Sequence, residues 1–522
     1  MWKNKGLKSS QLLLVLMISN LLVKFFGLLR EIVLAYFYGT SIYTDAYVMA
    51  NNIPTTLFAA LGTSIATTFV PMYTRIETET GKGKADSFTR AFLFRLFMIC
   101  LVASIIGIIF TEQFVWLFAS GFKGETLDLT IQYTRILFPS IVGMLLMNLF
   151  GAYLQCNGKI VPIAIVPMIS NITIIVALFI SYYLQNVYLF VWGTLIGVLL
   201  QVLFYLPWVV KSGLFSSQIY AGCSDEDTKK YLRIITALII PVFLGEAVNE
   251  INSIIDKTLV SGLGEGVVSS LNYGYKIINM LHGVFIASLM TLIYPQLAKM
   301  VAEKDKSKFS ASCKKGCAGI FAIMGLVTAM IIFAGETLVQ LVLGHGSFDS
   351  DSVKMTAMSL VCYGVGLVGM GEREIIGKAM YSMQDTKTPM INGVYCALMN
   401  IILDLILIHF WGYTGAALAT SIVATLGAIN LYRSAFKKKY IDAKGLFESI
   451  CKSSLGLCAV GLFMFMSNKL VLNGFAYSRV LLVGQVIVCL LSIMVFLVSQ
   501  ILFKNNYVID IFKSFVGGCR KK

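Results

Sequence analysis

The chain has 522 residues, of which 57% are hydrophobic and 13% charged, with a net charge of +15 and a mean hydropathy of +0.80. A soluble domain carries about 25% charged residues, so the composition excludes an ordinary soluble enzyme, and no polar stretch is long enough for a separate soluble domain. The excess of Lys and Arg clusters in alternate loops, which reads as a membrane-orientation signal and argues against nucleic acid as the partner.

An apolar run of roughly 20 residues spans a bilayer as a helix. The basic segment Met1–Ser10 leads into such a run, which carries Arg30 and Glu31 and no convincing cleavage site, so it reads as a first membrane helix and not a cleaved signal. The pattern predicts an all-α polytopic membrane protein with about 14 transmembrane helices: 10–38, 44–74, 88–111, 128–155, 160–183, 187–211, 229–261, 268–299, 309–335, 352–382, 388–409, 412–435, 446–471 and 478–503. Loops after the even spans hold groups such as Arg75, Lys82, Lys84 and Arg90, then Lys304, Lys306 and Lys308, then Lys437, Lys438 and Lys439. The opposite loops, among them Gly39–Asp45 and Ser261–Gly266, are poor in basic residues, which predicts that both termini are cytoplasmic and the span count even.

The chain also resembles itself at an offset of about 225 residues. Gly39, Asp45, Tyr47 and Val70-Pro71-Met72 are echoed by Gly264, Asn272, Tyr273 and Tyr294-Pro295-Gln296. A repeat of six spans preserves orientation, so it predicts two six-helix lobes related by a pseudo-two-fold axis along the membrane normal, with the binding site between them. The predicted divisions are 1–215, 225–440, and a C-terminal part 445–522 holding two extra helices and a basic tail.

Charges inside spans carry the chemistry, because an intramembrane charge is costly and by default faces a cavity or a partner. Lys24 and Arg30 lie in the first span, Asp45 opens the second, and Lys276 lies in the eighth. The repeat makes these equivalent elements, so the cations either converge on an anionic, phosphate-bearing ligand or form internal ion pairs with Asp45 and Glu31. A second group is carboxylate-centred. Asn400 and Asp404 share a helix face at i, i+4, with Asp256 in span 7 and Thr420 in span 12. These hard oxygen donors suit Na⁺, while a proton-titrated carboxylate or a structural hydrogen bond is the competing role. Glu374 and Lys378 are also spaced i, i+4 and predict a self-compensating pair, and Glu246 and Glu250 share a face of span 7. The three His residues, His282, His345 and His409, read as packing or interface residues, and Cys313 and Cys317 lack the spacing of a zinc site. No P-loop, nucleophile-elbow or zinc-protease motif is present. Transport energy is therefore expected from an ion gradient, Na⁺ or H⁺, or from the membrane potential, which supplies about 2.3 kcal/mol per unit charge per 100 mV. No cofactor is expected.

The motif set Phe26-Gly27-Leu28-Leu29-Arg30-Glu31, Tyr38-Gly39, Thr44-Asp45-Ala46-Tyr47, Ile53-Pro54 and Phe69-Val70-Pro71 resembles the opening of the MurJ/MviN lipid II flippases of the MOP exporter superfamily. Leu271-Asn272-Tyr273 with Lys276, and Gln384-Asp385-Thr386-Lys387-Thr388-Pro389, extend the resemblance over essentially the whole chain. The resemblance implies a MATE-like, two-lobed bacterial flippase, not an enzyme, that moves an undecaprenyl-pyrophosphate-linked muropeptide to the outer leaflet by alternating access. It implies that Arg30, Lys24 and Lys276 occupy pyrophosphate-binding positions, that Asp256, Asn400, Asp404 and Thr420 fall where some members bind Na⁺, and that the last two spans cradle the prenyl tail. It implies a monomer working among membrane lipids near cell-wall synthesis proteins. The family's base shortly after the proline matching Pro54 has no counterpart in Thr55-Thr56-Leu57-Phe58-Ala59-Ala60. That gap favours the rival reading, a flippase for another undecaprenyl-linked oligosaccharide. A cation-coupled drug antiporter predicts an acidic, aromatic cavity instead, and a membrane glycosyltransferase predicts a large outer loop that this chain lacks.

Overall fold

A computed structural model describes residues 9–215, 226–303, 305–443, 445–474 and 479–510. Among these the regular structure is entirely helical. In chain order the helices are α1 (Ser9–Tyr38), α2 (Ile42–Thr80), α3 (Lys82–Ile109), α4 (Thr111–Phe118), α5 (Gly124–Leu137), α6 (Ser140–Cys156), α7 (Ile160–Tyr183), α8 (Tyr188–Lys211), α9 (Glu226–Val260), α10 (Val267–Ala302), α11 (Lys306–Val342), α12 (Ser350–Gly364), α13 (Leu367–Ser382), α14 (Lys387–Trp411), α15 (Tyr413–Lys437), α16 (Leu446–Gly474) and α17 (Arg479–Leu502). Ten spans of the described residues are long and apolar enough to cross a membrane, or up to 11 when the bent α5–α6 pair counts as one. The helices follow the predicted runs in order, but the count of about 14 exceeds those that meet this criterion; α1, α9 and α10 are outside the ten.

The two stretches that the sequence repeat would align break at different places. α3 and α4 cover Lys82–Phe118 with a break at Phe110, and α11 runs unbroken over the corresponding stretch, Lys306–Val342. α5 and α6 meet at a 43° bend at Phe138–Pro139, where proline removes a backbone donor and clashes with the preceding turn. The corresponding pair, α12 and α13, is interrupted at Val365–Gly366 without a proline. Here neighbouring hydroxyls bond the carbonyls around the interruption: Ser421 Oγ donates to the Cys362 and Tyr363 oxygens (2.5 and 3.1 Å) and Thr328 Oγ1 to that of Gly364 (2.9 Å).

The chain divides into two compact units, one of Met1–Ser269 with Gly346–Phe348, the other of Ser270–His345 with Asp349–Lys522. The packing boundary thus falls inside the first turn of α10, and not near residue 225 where the repeat places the start of the second lobe. The reason is that α9 packs along α2, α3 and α4. In the first unit α2 is central, contacting α5, α6 and α9, while α7 pairs with α1 and α8. Its interior is aromatic, with Phe69, Tyr73, Phe88, Tyr133, Phe138, Tyr153, Phe190 and Tyr205 fully buried. In the second unit α11 contacts α12, α13, α16 and α17, and α15 contacts α12, α13 and α14. The expected C-terminal appendage is packed into this unit: Ala322 and Leu326 of α11 share a core with Val460 and Met464 of α16 and Val488 and Phe496 of α17.

Lipid is as apolar as a leucine side chain, so these helices associate through close packing and not through the hydrophobic effect. Small residues permit the approach: a Cβ on Gly193 of α8 would lie 2.1 Å from Ala177 Cβ of α7, and one on Gly369 of α13 would lie 2.7 Å from Thr425 of α15. Large apolar side chains face outward instead, as Phe94, Met98, Val102, Ile105 and Ile109 do along α3. Gly39 ends α1 at φ +57°, and an added Cβ would lie 2.4 Å from the Ser347 carbonyl oxygen, within the first unit. Gly39→Ala therefore combines left-handed strain with a backbone clash, and thermal unfolding is expected to show a loss of at least about 2 kcal/mol.

Candidate functional site

The cationic residues are placed by α1 and α10. Arg30 sits on α1 and binds its neighbour Glu31, Nε to Oε1 at 3.0 Å and Nη2 to the same oxygen at 2.5 Å. The Glu31 side chain is 7% exposed and that of Arg30 26%, so the carboxylate lies inside the bundle and the guanidinium at its edge. The Tyr47 hydroxyl of α2 lies near both charges and shares a hydrogen bond with Thr194 of α8 at 3.0 Å. Lys24, on the same helix, is exposed beside the apolar Leu21, Leu22 and Phe25. Lys276 is half-buried on the part of α10 that belongs to the second unit.

Asp45 has a different task from the one its charge suggests. Expected as a neutraliser of the cations or a ligand contact, it is 1% exposed and gives both carboxylate oxygens to the backbone. Oδ2 accepts the Gly266 amide and Oδ1 the Ser269 amide, each at 2.7 Å. The N-terminal amides of a helix have no partners within it, and their dipole favours an anion there. Asp45 caps α10 from a position more than 200 residues earlier in the chain. In this structure its role is that of a structural anchor for α10.

The predicted cation set is divided by the units. Asn400 and Asp404 lie on one face of α14, 4% and 0% exposed, with Asn400 Nδ2 donating to Asp404 Oδ2 at 2.5 Å. Thr420, on α15, is half-buried and donates its hydroxyl to the Ala416 carbonyl at 3.2 Å. Asp256 is on α9 in the first unit, half-buried beside Lys257, and both make polar interactions. Among the described residues no three His, Cys, Asp or Glu groups cluster as metal ligands.

Several partnerships were out of reach of the sequence. The expected Glu374–Lys378 pair is replaced by longer-range contacts. Glu374 Oε2 meets His282 Nε2 of α10 at 3.3 Å, and Lys378 Nζ lies 5.6 Å from the Tyr294 ring centroid. His282 thus has a carboxylate partner and is not an isolated packing residue. Asp86 of α3 is buried and accepts the Tyr73 hydroxyl of α2 (2.9 Å) and the Tyr153 hydroxyl of α6 (3.1 Å). Nothing local in the sequence marks these pairs, because the partners come from different helices. The Glu246 and Glu250 side chains lie outside the described residues.

The QDTKTP segment builds the start of α14. Asp385 accepts the Thr388 amide (3.2 Å) and hydroxyl (2.9 Å) and binds Lys438 Nζ at 2.6 Å. Burial works to raise this carboxyl, but the Lys438 and Thr388 contacts outweigh it and hold the group below the usual carboxylate range. A carboxyl lowered in the folded state stabilises above its unfolded value of roughly 4, and that contribution disappears as pH falls through the lowered folded value. Asp385→Asn is therefore expected to lower the unfolding temperature at neutral pH and to flatten its acid dependence below about pH 4.

These features define a class: an all-helical, polytopic membrane protein with ten or more apolar helices long enough to span a bilayer and charged side chains placed among them. Residues 34–513 match the family described as lipid II flippase MurJ, and the chain belongs to that family. It is 27% identical to the lipid II flippase MurJ of Burkholderia cenocepacia over 421 residues, covering 79% of this chain and 81% of that one. It is 28% identical to the probable lipid II flippase MurJ of Treponema pallidum over 460 residues, covering 86% and 85%. A solved structure of lipid II flippase MurJ in an inward closed conformation superposes with TM-score 0.79 at 26% identity, covering 94% of this chain and 99% of that one. An inward-facing multidrug-resistance MATE transporter of the MOP superfamily, at 18% identity and TM-score 0.63 over 79% of this chain and 99% of its own, shares the fold.

Proposed function

We propose that this protein translocates lipid II, the undecaprenyl-pyrophosphate-linked peptidoglycan precursor, from the cytoplasmic to the outer leaflet of a bacterial plasma membrane by alternating access. The observation that carries the reading is the family match over residues 34–513, joined to a guanidinium, Arg30, held on α1 at the edge of the first unit. Arg30 offers planar, bidentate donors to a phosphate and Lys24 a point charge. Lys276 supplies a further cation from the second unit. The proposal includes no bond-making step: the protein orients and shields a polar headgroup while the prenyl tail stays in lipid, with α16 and α17 as the elements assigned to the tail.

For the driving force we propose occupancy of the Asn400–Asp404 pair by Na⁺, with Thr420 and Asp256 as further oxygen donors; H⁺ and the membrane potential are the competing sources. Both termini are assigned to the cytoplasm, and the working form is taken as a monomer near the cell-wall synthesis machinery. The second reading, another undecaprenyl-linked oligosaccharide, draws on Thr55–Ala60: this α2 segment carries no base, and the Thr55 hydroxyl is turned back to the Asn51 carbonyl at 2.7 Å. Complementation separates the two. A bacterium depleted of its own lipid II flippase is expected to regain surface-exposed lipid II and growth when this chain is expressed. Membrane insertion without rescue would defeat the lipid II reading and favour the alternative cargo.

A further inference from the structure

The second unit contains a buried acid that the transport reading does not use. Glu372 of α13 is 4% exposed. Its Oε2 accepts the Tyr432 hydroxyl of α15 at 2.5 Å, and the fully buried Cys317 thiol of α11 lies against the carboxyl. Its Oε1 is buried and receives no hydrogen bond of good geometry. The charged groups around this seam have other commitments. Arg373 reaches Cys396 of α14, His282 of α10 pairs with Glu374, and Lys378 sits over Tyr294. Cys313, one turn from Cys317 on α11, is a buried free thiol, not a cation. From α10, the apolar Ile286 packs near the adjacent Gly371.

A buried carboxylate without a counter-cation is far more costly than the neutral acid. A neutral acid also fits the hydrogen bonding: Oε2 accepts from the phenol, and Oε1, which accepts no hydrogen bond, is the oxygen that can carry the proton. We propose that Glu372 is a proton site: it holds a proton while α11, α13 and α15 are packed, and it releases that proton to water when the seam opens. The O–H bond breaks, its electron pair stays on the carboxylate, and the proton passes to solvent, so any conformational step that wets the seam is coupled to release of one proton. The sign follows directly. The packed state binds one proton more than the open state, so raising the pH favours opening.

Cys317 supplies the reporter. In the full-length protein with its other cysteines replaced by alanine, the rate at which N-ethylmaleimide labels Cys317 is measured against pH, with and without Glu372→Gln, which mimics the protonated acid. Thiol ionisation affects both chains alike, so the ratio isolates Glu372. The ratio of the Glu chain to the Gln chain is expected to be near one at low pH and to rise roughly tenfold per pH unit at high pH, the slope of one proton. Equal rates at every pH would overturn the proposal. Should the cysteine-depleted chain not fold, the infrared carboxylic-acid C=O band of the wild-type chain at neutral pH is the second measurement. A band that shifts on Tyr432→Phe supports the site, and a spectrum unchanged by Tyr432→Phe overturns it.

Discussion

Arg30→Ala is expected to abolish rescue of a flippase-depleted bacterium, and two separate effects of the substitution have to be told apart. The first is structural. Glu31 is 7% exposed and its Oε1 takes two bonds from Arg30. Removing the guanidinium takes the Arg30 bonds from the buried Glu31 carboxylate, and because Arg30 is itself partly exposed the expected loss of stability lies below the roughly 3–5 kcal/mol of a fully buried pair. The second is functional: each lost hydrogen bond between charged groups is worth about 1.5–3 kcal/mol, so losing the guanidinium predicts a fall in transport of about tenfold to more than a hundredfold per contact with a pyrophosphate. The double variant Arg30→Ala with Glu31→Gln separates them, because it also removes the carboxylate charge. Thermal unfolding of the double variant should return close to wild type while lipid II translocation stays lost. Arg30→Lys keeps the charge but not the planar fork and should be intermediate. A stable double variant that still supports growth would remove Arg30 from the transport mechanism.

Asp45→Ala is expected to be among the most destabilising single substitutions outside the close-packed glycines. It leaves the Gly266 and Ser269 amides, now bonded at 2.7 Å, without an acceptor. Each buried donor left unsatisfied costs about 1–3 kcal/mol, and the favourable charge at the start of α10 is lost as well. Asp45→Asn does not repair the site, since its amide nitrogen would face one of the two donors. Unfolding in detergent should therefore rank aspartate above asparagine, with asparagine no better than slightly above alanine. An alanine variant within about 0.5 kcal/mol of wild type would show that the α10 amides find water or another acceptor.

Arg30 and Asp45 mark the limit of what a single chain reveals. Both were legible as charges in or at the ends of apolar runs, yet one retains an exposed edge suited to an anion and the other is consumed by backbone amides. Asn400 and Asp404 were legible as a pair because i, i+4 neighbours on a helix meet whatever surrounds them. Glu374 and Lys378 have the same spacing and chose His282 and the Tyr294 ring instead. Local spacing makes a contact available; competing partners on neighbouring helices decide whether it is used.

The sequence by itself determined the membrane class and the order of the helices, and it picked out the charged positions. Those properties depend on hydropathy and spacing along the chain, and a bilayer leaves backbone groups few alternatives to helix. Tertiary structure decided that α9 packs with the first unit, that Asp45 caps α10, that α16 and α17 join the α11 core, and that Glu372, Tyr432 and Cys317 meet. These outcomes depend on which helix faces come together. In lipid, where apolar surface does not discriminate one neighbour from another, small residues and buried polar pairs make that choice.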